Sequence, residues 1–190
     1  MSVPILIIVT GSPCTGKSTL ARFLSRELSL PMVSKDGIKE TLFDTLGFSD
    51  RAWSRRLGLS SYALLYYFVE LQLAAGRSLI VESNFHAPTA GPAFEALRAK
   101  YPFRVVQVFC RTEPQVLMER FKTRAATTDR HPGHVELQNI DEFRAALAAE
   151  ACAPIPLEGK LITLDTTDFA LVDYKSVVEE IRAEERADTL

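Results

Sequence analysis

The stretch GSPCTGKST, residues 11–19, places a glycine, four residues, then Gly-Lys-Ser directly after an apolar run. That spacing is the pattern of a phosphate-cradling loop between a strand and a helix. Gly11 and Gly16 let the backbone wrap, so that the N–H groups of Ser12, Cys14, Thr15 and their neighbours can turn inward at a helix start. Lys17 supplies a mobile cation for the outer phosphates, and Ser18 a hydroxyl for Mg²⁺, an ion that keeps several waters and takes few protein oxygens. Pro13 and Cys14 fill unconstrained positions of the loop, and Thr19 follows in the helix.

Further residues carry chemistry of the same kind. Asp36, in PMVSKDGIKE, falls just after a short apolar strand, where ligands gather in open parallel sheets. A carboxylate there can align an acceptor hydroxyl and receive its proton; the competing reading is an N-terminal cap on a helix from about Ile38. Glu82 ends a buried strand and is a candidate for the Mg²⁺ water shell or for orienting the acceptor, followed by Asn84, a substrate-binding candidate, and His86, by default a solvent-facing loop histidine. Arg120 and Arg124 lie four apart on one helical face, with Arg130 further on; each is a candidate for charge spreading over a transferred phosphoryl group. For the first two, surface pairs with Glu113 or Glu119 are the alternative. His131 and His134 lack metal-ligand spacing, so His134 is expected to read substrate or shape its loop. Thr166 and Thr167 follow the last strand.

These residues need a scaffold, and the hydrophobic pattern supplies one. Apolar runs alternate with helical periodicity, which argues for an α/β fold with a parallel sheet covered on both faces. Strands are expected at 3–9, 31–34, 77–82, 104–109 and 160–165. Helices are expected at 18–28, from about 38, at 53–75, 89–100, 114–126, 138–150 and 173–186. Five strands joined by helical crossovers give a doubly wound unit. The segment TTDRHPGHV, 127–135, breaks the periodicity with Pro and Gly and is a candidate mobile lid. Trp53 and Tyr62 on the long helix read as core, with an acceptor pocket as the alternative.

At 190 residues one domain is expected. The net charge of −2 gives no general attraction to nucleic acid or acidic lipid, so an anionic ligand must be captured locally. The longest apolar run is too short to span a bilayer, and three cysteines form no CxxC pair, so a reduced cytoplasmic setting is expected. No Asn-Lys-x-Asp follows a late strand, which favours ATP over GTP.

The order of GSPCTGKST, SKD, VESNF, FCRTEP, RHPGH and LDTTD resembles the small P-loop kinases that include polynucleotide 5′-kinase domains, zeta-toxin-like and chloramphenicol-phosphotransferase-like enzymes. The resemblance spans nearly the whole chain. It implies a nucleoside-kinase-like P-loop NTPase fold with strand order 2-3-1-4-5 and a lid. It also implies transfer of the γ-phosphate of ATP to a hydroxyl, with Asp36 orienting the acceptor and the backbone at Thr166 and Thr167 lying along the adenine. A small-molecule acceptor is the first expectation. A polynucleotide 5′-end is the second, for which RAWSRR (51–56) is the basic patch on offer, and a nucleotide-hydrolysing module is the third.

Overall fold

The computed structural model describes residues 3–127, 130–134, 140–148 and 152–186. Five parallel strands, β1 (Ile5–Gly11), β2 (Met32–Ser34), β3 (Leu79–Glu82), β4 (Arg104–Arg111) and β5 (Lys160–Asp165), form one sheet in the order β2-β3-β1-β4-β5. Seven helices alternate with them among the described residues: α1 (Lys17–Leu28), α2 (Lys35–Leu46), α3 (Arg51–Ala74), α4 (Ala87–Arg98), α5 (Pro114–Ala125), α6 (Ile140–Ala148) and α7 (Tyr174–Arg186). No helix among the described residues is long and apolar enough to cross a membrane.

Every residue of β1 is buried, which a strand covered on both faces requires. Successive side chains point to opposite faces. Ile5, Ile7 and Val9 meet Leu20 and Leu24 of α1 and Val177 and Ile181 of α7. Leu6 and Ile8 instead join Leu65, Val69 and Leu73 of α3 and Phe94 of α4. Each such side chain contributes about 1.5–3 kcal/mol when taken from water, so β1 is the anchor of the sheet. A smaller cluster, Leu117, Phe121 and Phe143, joins α5 to α6.

The expected elements are present with shifted ends. β3 starts at Leu79 rather than 77, after Gly76 (φ 65°) turns the chain beyond the end of α3. α2 starts at Lys35 rather than near 38. Ser34 is its cap, its hydroxyl accepting from the Gly37 N–H at 3.0 Å. The capping alternative for Asp36 therefore fails, because Ser34 already accepts that donor and Asp36 lies inside the first turn.

The Pro-rich connection into β5 is held by one buried side chain. Gln107 of β4 donates from Nε2 to the Ile155 carbonyl oxygen (3.1 Å) and accepts from the Ile155 N–H at Oε1 (2.7 Å). Replacing Gln107 by Leu strands both backbone groups, so a loss of about 1–3 kcal/mol in urea unfolding is expected. Unchanged stability would show that the clamp is dispensable.

Candidate active site

The strand order creates the site. β3 lies between β1 and β2, with Val9 opposite Glu82 and Ser34 opposite Glu82 in the register. The loop after β1, the end of β3 and the start of α2 therefore share one sheet edge. A cleft of about 780 Å³ opens there, lined by the phosphate loop, Asp36, Asn84, Arg120, Arg124 and residues of the 130–134 segment.

The loop has the backbone its sequence demands. Gly11 (φ 145°), Cys14 (φ 68°) and Gly16 (φ 79°) adopt positive φ. A Cβ on Gly11 would fall onto the Cys110 carbonyl oxygen, and one on Gly16 would come within 2.7 Å of the Phe169 ring. Glycine is thus required twice, for conformation and for space. Gly16 caps α1 without a side-chain hydrogen bond, so the N–H groups of the first turn have no side-chain acceptor at the cap, and Lys17, Ser18 and Thr19 of that turn line the cleft. Lys17 Nζ donates to the Ser12 carbonyl oxygen (3.2 Å) and lies 4.0 Å from Glu82 Oε1.

Of the other expected loop residues, Ser12, Pro13, Cys14, Ser18 and Thr19 line the cleft. Thr15 and Gly11 lie behind it, Thr15 donating its hydroxyl proton to the Ser12 carbonyl oxygen at 2.9 Å. Glu82 is buried, and burial raises its pKa, against which the Lys17 cation and a hydrogen bond with Ser18 act. A serine hydroxyl beside a buried carboxylate fits a Mg²⁺ ion bound chiefly through phosphates and waters.

Asp36 sits between two cations. Its Oδ2 accepts from Arg130 Nη2 at 2.6 Å and its Oδ1 from Lys35 Nζ at 3.0 Å. Burial alone would raise its pKa; Lys35 and Arg130 outweigh it and hold the carboxyl well below the usual range. Asn84 lines the cleft beside Ser83, whose hydroxyl is 3.0 Å from the Tyr62 hydroxyl. Tyr62 is partly buried against the core, its ring packing on Phe85.

Arg120 makes no surface pair with Glu113. Its two terminal nitrogens donate to the carbonyl oxygens of Thr166 (2.9 Å) and Thr167 (2.8 Å), and its guanidinium lies 3.6 Å from the Phe169 ring centroid. It orders the loop after β5. Thr167 itself is outside the cleft lining, its hydroxyl accepting from the Glu113 N–H, and Phe169 faces the cleft instead. Arg111, the last residue of β4, is exposed and lies 4.0 Å from Asp165.

Within the proposed lid, Thr128, Asp129 and Val135 lie outside the described residues. Residues 130–134 are docked on α2, where Asp36, Glu40 and Asp44 recur every fourth residue and so share a face. Arg130 meets Asp36, His134 meets Glu40 at 2.9 Å, and His131 meets Asp44 at 3.1 Å. The His131 ring stacks on Phe43, and a Cβ on Gly133 would strike the same ring at 2.7 Å. Because His134 Nε2 faces a carboxylate, it carries the proton, which leaves Nδ1 to accept from Arg130. Of the two expectations for His134, loop shaping is what its hydrogen bonds serve, although it also borders the cleft.

Lys39 and Phe169, which the sequence reading does not single out, also line the cleft, as does Arg51 of the RAWSRR patch. Lys39 follows Lys35 by one helical turn, a spacing visible in KDGIKE. Nothing in the sequence marks Phe169 beyond an aromatic ring after the last strand.

A family model described as an AAA domain matches residues 6–149. The chain belongs to this family of small P-loop kinases. A "putative kinase" from Chloroflexus aurantiacus J-10-fl is 38% identical, with 99% of each chain covered and a TM-score of 0.88. A gluconokinase from Sinorhizobium meliloti 1021 is 16% identical, covering 100% of this chain and 96% of its own, with a TM-score of 0.51. A shikimate kinase from Bacteroides thetaiotaomicron is 19% identical, covering 95% and 97%, with a TM-score of 0.52. At these identities the latter two share the fold. No curated protein matches the chain.

The neutral, buried His134 has a pH consequence. Burial, reinforced by Arg130, pushes its pKa from 6.5 down to about 3. Between those values the unfolded chain binds a proton that the folded one refuses, so stability present above 6.5 is lost as the pH falls towards 3. Replacing His134 by Gln keeps a donor for Glu40 and should remove up to about 2 kcal/mol of the stability difference between about pH 5 and pH 7, read by urea unfolding. An unaltered difference would contradict the neutral assignment.

Proposed function

We propose that the protein is an ATP-dependent kinase that transfers the γ-phosphoryl group to a hydroxyl of a small molecule. The observation that carries this reading is the placement of Asp36 across Glu82 from Lys17, at the edge of a cleft whose floor is the phosphate loop. Phosphoryl transfer needs positioning and charge stabilisation more than covalent help.

In this reading the loop N–H groups and Lys17 hold the β- and γ-phosphates, and Ser18 with Glu82 would hold Mg²⁺. The ion would neutralise charge on the phosphate oxygens. Arg120, Phe169 and the backbone at Thr167 would border the base. Arg124 and Arg130 would meet charge developing on the phosphoryl oxygens, while Asn84 and Asp36 would orient the acceptor hydroxyl. The Arg130 contact makes Asp36 a weak base as it stands. Transfer of that guanidinium to the phosphoryl group would restore its basicity as the hydroxyl proton leaves. Residues 127–135 would act as the lid that excludes water.

A polynucleotide 5′-end acceptor is the second reading. The basic patch it needs is partly spent, since Arg51 and Arg55 both donate to Glu142 at 2.6 Å.

The test is a transfer assay with Mg²⁺ and γ-labelled ATP over small hydroxylated compounds, 5′-hydroxyl oligonucleotides and an acceptor-free control. Lys17→Ala should abolish transfer. Asp36→Asn should preserve ATP affinity and lower kcat by about 10²-fold or more. Free phosphate at one rate with every compound would overturn the kinase reading in favour of a hydrolysing module.

A further inference from the structure

The acceptor end of the cleft holds more positive charge than its own carboxylates can balance. On a chain of net charge −2, the acids lining the cleft are Asp36 and Glu142. Asp36 is engaged by Lys35 and Arg130, and Glu142 by Arg51 and Arg55. Lys39 has no ion pair among the described residues. It is 5% exposed, and its one hydrogen bond is to the Ser54 hydroxyl at 2.8 Å. Its ammonium also lies 5.1 Å from the Phe43 ring centroid. Arg51 shows the same deficit at another atom: its Nε is buried without a hydrogen-bond partner.

Both donors face one space. Lys35, Lys39 and Arg51 line the main cleft and also a recess of about 380 Å³ between α2 and α3, whose far wall includes Ser54, Gly58 and Tyr62. A buried ammonium with two unused N–H donors is unfavourable in an empty site, as is a buried guanidinium N–H without an acceptor. Nearby Lys35, Arg51 and Arg130 repel the charge on Lys39. One ligand property relieves all three penalties: a compact anionic group with several acceptor oxygens.

We propose that this recess binds an anionic group of the acceptor, a carboxylate or a phosphate ester, through Lys39 and Arg51. The acceptor is therefore a hydroxy acid or a phosphorylated hydroxyl compound rather than a neutral alcohol. This inference rests on the kinase reading for the word acceptor and on the recess alone for the anion.

A pH dependence supports it. Burial pushes the Lys39 pKa from 10.5 down to about 8, with Lys35, Arg51 and Arg130 adding to the fall and Asp36 opposing it. Arg55 and Tyr62 are the other charged or titratable groups lining the recess, and His134 and Glu142 are among those of the adjoining cleft. Anion affinity should accordingly fade as the pH rises through about 8, where Lys39 loses its proton.

The experiment has a catalytic arm and a binding arm. In the first, neutral sugars and polyols are compared with hydroxy acids and sugar phosphates as acceptors. Label on acids alone, or on phosphate esters alone, would identify the source of the anion. Lys39→Met and Arg51→Gln should each raise the KM of the acidic acceptor by about tenfold or more, with the ADP Kd within about twofold of wild type. Lys39→Met should also melt no lower than wild type, because it removes a buried unpaired charge. In the second arm, protein saturated with ADP to fill the phosphate loop is titrated with inorganic phosphate and with malate, and the Lys39 side-chain NMR signals are followed. Either anion should shift those signals and raise the Lys39 pKa, and neutral glycerol should do neither. Equal turnover of neutral and acidic acceptors, an unchanged KM in Lys39→Met, or Lys39 signals blind to both anions would overturn the proposal. Anion binding at Lys39 without any phosphoryl transfer would instead sink the kinase reading and leave the anion site standing.

Discussion

Parallel pairing of β3 with both β1 and β2 is the constraint on which the rest of this molecule depends. Parallel strands end at the same edge, so whatever follows each of them is delivered to one place. Here that delivers a phosphate loop, a buried carboxylate and the first turn of α2, whose residues are far apart in sequence. Because β1 is buried along its full length, its end cannot move without disturbing both core layers. The left-handed turns at Gly11, Cys14 and Gly16 are therefore held in place by the sheet rather than by the loop itself.

The electrostatics of the cleft follow from that convergence. A chain that is slightly acidic overall places several cations around one opening and few carboxylates among them. Those carboxylates are not interchangeable. Glu82 is pushed towards its neutral form by burial, whereas Asp36 is kept ionised by Lys35 and Arg130. Two acids near one phosphate loop thus have opposite tendencies, set by depth and by partners.

The 130–134 segment illustrates how a helix face can organise a loop. The acidic residues of α2 at every fourth position form a stripe, and the basic side chains of the segment meet it one by one. Phe43 supplies the flat surface on which His131 lies, and Gly133 is small enough to pass over it. Residues 130–134, from a stretch that reads as a breaker-rich lid, are consequently seated against α2, with Arg130 reaching Asp36.

The sequence alone determined the phosphate loop, the five strands and their helices, because these rest on local signals: glycine spacing, apolar runs and 3.6-residue periodicity. It also pointed to Asp36, since a polar residue at the end of a short strand is a local pattern. Tertiary structure decided what depends on who the neighbours are. Whether Asp36 capped α2 turned on Ser34 being in reach of the Gly37 N–H. Whether Arg120 faced solvent or the loop after β5 turned on carbonyl groups some 46 residues away in the chain. Lys39 looks in sequence like one more helical lysine. It became a buried cation because α3 packs across it, and burial is a property of the whole fold.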